Sequence, residues 1–181
     1  HVQEDDSEYD CVVRRGFSPL LPSAYTLDAK EPPADYTKIP ADKAHISRLL
    51  FGHFARCLYP VQKFHSDPER QFAVILERDA QKWFRPARGQ FHIFYKEAHE
   101  TKEYVPDFVA ETDETILMAE IKADNELTDP IVVAKAAAAR KWCALATAHT
   151  VENGGKPWQY ILLGQSMVRD NMTLRGFLAS G

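Results

Sequence analysis

Asp107, Glu120 and Lys122 fall within sixteen residues, inside two short runs that otherwise read as buried β-strands. Ionisable groups are rare at such positions unless a metal, a substrate or an ion pair compensates them. Side chains at i and i+2 share one face of a strand, so Glu120 and Lys122 point the same way and Ile121 points into the opposite layer. The short link between the two runs makes them antiparallel neighbours, which brings Asp107 to the same place. Pro106 denies the ladder one bond, so Asp107 belongs where its strand bends or frays. Two adjacent carboxylates repel and raise each other's pKa unless a cation lies between them. Mg²⁺ suits such a pair, because it prefers carboxylate, carbonyl and water oxygens, and the main-chain carbonyl of Ile121 offers one more ligand. A protonated Lys122 cannot coordinate; it can hold a water or oppose charge developing on a phosphate. Acid, acid, amine and metal are the parts needed to hydrolyse a phosphodiester. A salt bridge at a sheet edge, with Lys122 paired to Glu120 or Asp107, satisfies the same spacing.

Other residues carry weaker signals. Glu69 sits in the first turn of a helix opened by Asp67-Pro68, where a carboxylate favours the helix dipole whether or not it serves a site. Glu77 lies two turns further on, near the same face. Arg78, Lys82, Arg85 and Arg88 interleave with Trp83 and Phe84, a pattern that suits a DNA backbone with stacking on aromatic rings. It equally suits a solvated helix face with Trp83 in the core. Lys135, Arg140 and Lys141 form a second basic group on a later helix. Gly154-Gly155-Lys156 lacks the spacing and context of a phosphate loop and reads as a turn. His45 and His53 have no third ligand, and no Ser–His–acid or Cys–His arrangement has motif context.

The elements that must position these residues follow from periodicity. Residues 1–41 are rich in proline and low in pattern, and read as an arm or covering segment. Ile46, Leu49, Leu50, His53, Phe54, Cys57 and Leu58 recur at helical spacing up to Pro60. A second helix, from Asp67-Pro68, carries Phe72, Ile75, Leu76, Ala80 and Trp83 until Pro86 and Gly89 break it. Strands are expected at 91–95, 104–110 and 115–122, with a polar turn over 96–102. An alanine-rich helix covers 132–148, a last strand 158–163, and a short helix ends the chain within 167–178. The resulting fold class is α/β, a mixed β-sheet flanked by helices. A long helix between the third and fourth strands makes a crossover if those strands are parallel.

The 181 residues suit one domain with a real core over 42–181. The formal charge of −4 excludes little, because the first ten residues hold five acids and no Lys or Arg, leaving 22 basic against 21 acidic residues elsewhere. Three scattered cysteines argue for a reducing, cytoplasmic setting and against a structural zinc site. No membrane span or secretion signal is expected, and a chain starting at His1 suggests a processed protein or a fragment.

Pro106-Asp107 followed by Glu120-Ile121-Lys122 resembles the motif of the PD-(D/E)xK nuclease superfamily. Phe64 to Ala73 resembles the first core helix of the nuclease domains in type III restriction Res subunits and related helicase–nucleases. Tyr104 to Val109 and Ala119 to Lys122 resemble their catalytic strands, and Asp129, Lys135, Ala138, Ala139, Trp142 and Cys143 the following helix. The likeness covers about 64–143, with an echo at 158–162. It implies a restriction-endonuclease-like core (about 64–163) and a Mg²⁺-dependent DNA endonuclease in which Mn²⁺ substitutes. Asp107 and Glu120 would be metal carboxylates, with the Ile121 carbonyl as a further ligand. Lys122 would be the catalytic lysine, Glu69 an acid completing or supporting the metal site, and Lys135 a contact to phosphate or carboxylate; Lys82, Arg85 and Arg88 remain the candidate DNA contacts. Ala123 stands where the family commonly has glycine. Implied partners are DNA, an ATP-dependent helicase motor in the same polypeptide and a modification or recognition subunit. The alternative is a nuclease-fold DNA-binding or docking domain that cleaves little.

Overall fold

A computed structural model describes residues 19–28 and 30–181; the acidic opening and Cys11 lie outside them. A four-stranded mixed sheet carries the candidate residues. Its strands are β3 (Lys82–Phe84), β6 (Phe108–Glu111), β7 (Ile116–Lys122) and β8 (Trp158–Gly164), in the order β3-β6-β7-β8. The first two pairings are antiparallel and β7–β8 is parallel. Two two-stranded pieces accompany it: β1 (Ala34–Asp35) with β2 (Phe51–Gly52), and a hairpin of β4 (Phe94–Glu97) and β5 (Glu100–Glu103).

Alternation along β7 divides the core. Leu117, Ala119 and Ile121 face a layer built by α1 (Asp67–Asp79), through Phe72, Ile75 and Leu76, and by α3 (Leu174–Ser180), through Leu174 and Phe177. Met118 faces the other layer, where α2 (Pro130–Glu152) packs Ala136, Ala139, Trp142 and Cys143 against Val109 and Tyr160. Small residues on α2 let its backbone lie close to β8 and to hairpin strand β4. The sheet is thus flanked by helices, and α2 joins the parallel pair β7 and β8 as expected of a crossover.

The α1 helix starts one residue earlier than Asp67-Pro68 suggests. Ser66 is its N-cap, accepting the N–H of Glu69, while Asp67 pairs with Arg70 at 2.7 Å. The helix ends at Asp79, and Trp83 belongs to β3, paired with Ala110. Trp83 is buried there, with its indole N–H donated to Glu77 Oε1 at 2.8 Å. Arg78, Lys82, Arg85 and Arg88 therefore form no helical stripe.

The helix expected over 46–58 is a 3₁₀ segment, Lys43–Arg48, followed by β2 and irregular chain. The helical spacing arises from residues that reach inward from several directions. Phe51 exchanges main-chain bonds with Gln62, and the N–H groups of Ala55 and Arg56 are taken by the Glu77 carboxylate, so no i−4 carbonyl claims them. The expected turn over 96–102 is the β4–β5 hairpin, which bends at Ala98 with φ +54°. The run 104–110 divides: Tyr104 to Asp107 lies outside the ladder and bends at Asp107, and only Phe108 onward pairs with β7.

Candidate active site

Asp107 and Glu120 meet because the antiparallel β6–β7 register pairs Phe108, which follows Asp107, with Ala119, which precedes Glu120. Asp107 Oδ2 accepts the N–H of Ile121 at 2.9 Å, which fixes its carboxyl at the frayed strand end. Ile121 spends its side chain on the opposite core layer. Glu120, only 5% exposed, accepts a hydrogen bond from the Tyr104 hydroxyl at 2.7 Å through Oε2 and lies 3.1 Å from Lys122 Nζ through Oε1. Tyr160 Oη lies 3.1 Å from Tyr104 Oη, and the Arg140 guanidinium stacks 5.4 Å from the Tyr160 ring centre.

Glu69 comes from the first turn of α1. Its Oε2 accepts the N–H of His65 at 2.7 Å and pairs with Arg85 Nη1 at 2.6 Å. Arg85, just past the end of β3, bridges the acids: Nη2 is 3.4 Å from Asp107 Oδ1, and Nε donates to the Asp107 carbonyl at 3.1 Å. Only 10% of its side chain is exposed. Sequence reasoning placed Arg85 among DNA contacts; the folded chain places it inside the acidic cluster, facing carboxylates.

The three acids, with Tyr104 and Lys122, line an open cleft of about 670 Å³. Asp107, Glu120, Lys122 and Glu69 form one side. Tyr95, Thr101 and Lys102 come from the hairpin, Lys135 from α2, and His65 and Arg88 complete the rim. Lys135 Nζ lies 5.3 Å from the Tyr95 ring centre. Arg88 is mostly exposed and 3.6 Å from Glu103. Lys82 sits at the opposite end of β3, paired with Glu111 at 3.0 Å, away from the cleft. The described part of the N-terminal arm runs beside the site, held by Tyr59 Oη on the Leu21 carbonyl and by Gln90 on Leu21 and Pro19.

The electrostatics follow from the charge count. Three carboxylates face two cations, Arg85 and Lys122. Burial, with repulsion from Glu120 and Glu69, pushes the Asp107 carboxyl up to about 8, against the pull of Arg85 and the Ile121 N–H. Burial opposes the charge on Lys122, but Glu120 and Asp107 outweigh it and hold the ammonium protonated above the usual lysine range. An all-oxygen acid pair short of positive charge fits a hard divalent cation, which would draw the proton from Asp107. Among the described residues, no three His, Cys, Asp or Glu side chains are grouped as a metal cage. The carboxylates such an ion would take are those of Asp107 and Glu120.

Other sequence signals resolve simply. Lys156 in the Gly154-Gly155-Lys156 turn pairs with Glu111 at 2.8 Å. Asp124 is turned toward the Ser166 N–H at 3.3 Å, close against Gly164, where an added Cβ would meet its Oδ1. Cys57 and Cys143 are free, with thiols pushed up to about 12 by burial. Tyr104 and Tyr160 carried no role in the sequence reading, and their hydroxyl chain to Glu120 has no sequence signal. It depends on the β7–β8 register and on the path of the chain before β6.

No protein-family model matches the chain, and no curated protein or solved structure is significantly similar to it. Among the described residues no helix is long and apolar enough to cross a membrane.

Proposed function

We propose that this chain is a Mg²⁺-dependent DNA endonuclease domain with a restriction-endonuclease-like core, working in the cytoplasm within an ATP-driven restriction or defence machine. The observation that carries this reading is the convergence of Asp107, Glu120 and Lys122 in an open cleft, from the end of β7 and the bend just before its antiparallel partner β6. Asp107, Glu120 and the Ile121 carbonyl are the groups that would hold the ion. Bound Mg²⁺ supplies Lewis acidity toward a phosphate oxygen. Tyr104 fixes the rotamer of Glu120, and the Ile121 N–H does the same for Asp107. Lys122 keeps its charge and opposes the negative charge that builds on the phosphate as water attacks in line. The 3′-oxygen leaves and the product carries a 5′-phosphate, the polarity that the PD-(D/E)xK resemblance implies. Lys135 and Arg88, on the rim, suit contacts to flanking phosphates. Sequence recognition and ATP use would belong to a helicase motor in the same polypeptide and to a modification or recognition subunit.

A second reading, a DNA-binding or docking domain that cleaves little, is favoured by one observation: Arg85 and Lys122 already give Glu69 and Glu120 ionic partners. End-labelled duplex DNA incubated with Mg²⁺ or with EDTA separates the two. Mg²⁺-dependent cleavage by the wild type, lost in Glu120→Gln, supports the nuclease. Equal gel shifts by both proteins with DNA left intact support the binding domain.

A further inference from the structure

The environment of Arg85 is that of a built cation seat. Arginine has five N–H donors in a rigid fork, and each has a facing acceptor here. Nε donates to the Asp107 carbonyl at 3.1 Å. Nη1 donates to the Lys63 carbonyl at 2.7 Å and to Glu69 Oε2 at 2.6 Å. Nη2 approaches Asp107 Oδ1 at 3.4 Å and His65 Nδ1 at 3.5 Å. The guanidinium carbon also lies 4.9 Å from the Phe108 ring centre and 5.7 Å from that of Phe64, two fully buried aromatics.

Four of those five acceptors are oxygens: one from Glu69, one from the Asp107 carboxyl and two main-chain carbonyls. Such a set is what a hard divalent ion takes in proteins, yet it surrounds a side-chain cation. The guanidinium is not loosely parked. Moving it would strand the Lys63 and Asp107 carbonyls in a largely enclosed wall and leave Glu69, 6% exposed, without its counter-charge.

We infer that Arg85 is the resident second cation of this site: it claims Glu69 and the outer oxygen of Asp107, so the chain binds a single divalent ion, on the Asp107–Glu120 side, with Glu69 outside its coordination sphere. This inference rests on the nuclease reading, and it assigns Glu69 as the counter-ion of a positioning arginine. The single ion is thereby confined to the side of Asp107 that faces Glu120 and Lys122.

The test is a calorimetric titration with Mn²⁺ that counts ions bound per chain. Wild type and Glu69→Gln are expected to bind one ion each, with Glu69→Gln lowering Tm because it removes the nearer of the two carboxylates that face the Arg85 guanidinium. Arg85→Met vacates the oxygen seat and is expected to bind two ions, and the Arg85→Met/Glu69→Gln double variant one. Two ions in the wild type, a lost ion in Glu69→Gln, or one ion in folded Arg85→Met each overturn the inference while leaving a metal-dependent nuclease intact. If Arg85→Met does not fold, the counts for wild type and Glu69→Gln still decide. No Mn²⁺ bound by the wild type overturns the metal-dependent reading itself.

Discussion

The Tyr104 hydroxyl donates to Glu120 Oε2 at 2.7 Å while Lys122 stands 3.1 Å from the other oxygen, so both carboxylate oxygens have a fixed partner. The tyrosine is itself held by Tyr160 from the parallel strand β8. This chain of contacts orients an acid that the proposed chemistry needs in one rotamer. Tyr104→Phe keeps the ring in its buried place and removes only the donor. It is expected to lower the cleavage rate about tenfold, the scale of losing a partner that orients a metal ligand. The loss should fall on kcat with little change in KM, and Tyr160→Phe should cost less. Steady-state cleavage of a duplex substrate reads both.

The pH dependence of metal-free stability follows from Asp107, held up to about 8 against an ordinary value of 3.8. Between those values the folded chain retains a proton that the unfolded chain has released. Its contribution to stability is therefore present below the lower value and is lost as pH rises toward about 8. In EDTA, thermal melts from pH 5 to pH 8 are expected to show Tm falling for the wild type and a shallower fall for Asp107→Asn. Parallel slopes for the two proteins would contradict the assignment.

Away from the cleft, Glu77 ties three parts of the chain together through the N–H groups of Ala55 and Arg56 and the Trp83 indole. Glu77→Gln keeps one acceptor oxygen but turns an amide donor toward at least one of those N–H groups, and is expected to cost about 1–3 kcal/mol, the range for a buried group left unsatisfied. Urea unfolding measures that loss, and specific activity of the folded fraction should be unchanged.

DNA affinity should distinguish the basic residues by place. Lys135 and Arg88 line the cleft, whereas Lys82 is paired with Glu111 at the far end of β3. Lys135→Ala is expected to weaken duplex binding across sequences and to reduce the salt slope by about one. Lys82→Ala should leave both unchanged in a fluorescence titration over a range of salt.

What was legible in the sequence had a local cause. The ladder linking Asp107 and Glu120 follows from two β-rich runs and a short turn. The α2 helix itself follows from its run of alanines, but it spans Pro130–Glu152, two residues earlier and four later than the expected 132–148; Asp129 caps its start by accepting the N–H groups of Ile131 and Val132. The errors came where tertiary partners replaced local ones. Helical spacing at 46–58 was produced by irregular chain whose N–H groups bind Glu77. Trp83 fitted the α1 face by spacing, yet its backbone pairs with β6. Arg85 shows the limit most clearly: a sequence cannot say whether an arginine faces solvent or acids sixteen and twenty-two positions away.

Lys122 separates metal binding from chemistry, because its ammonium stands beside Glu120 without being a ligand. Single-turnover nicking of supercoiled plasmid by wild type and Lys122→Met, in saturating Mg²⁺ with Mn²⁺ binding measured in parallel, therefore tests the central claim most directly. The account predicts Mg²⁺-dependent nicking by the wild type and, in Lys122→Met, a rate at least about a hundredfold lower with an Mn²⁺ site still present, the scale of removing one group that stabilises transition-state charge. Equal nicking by both proteins, or nicking that persists in EDTA, would contradict it.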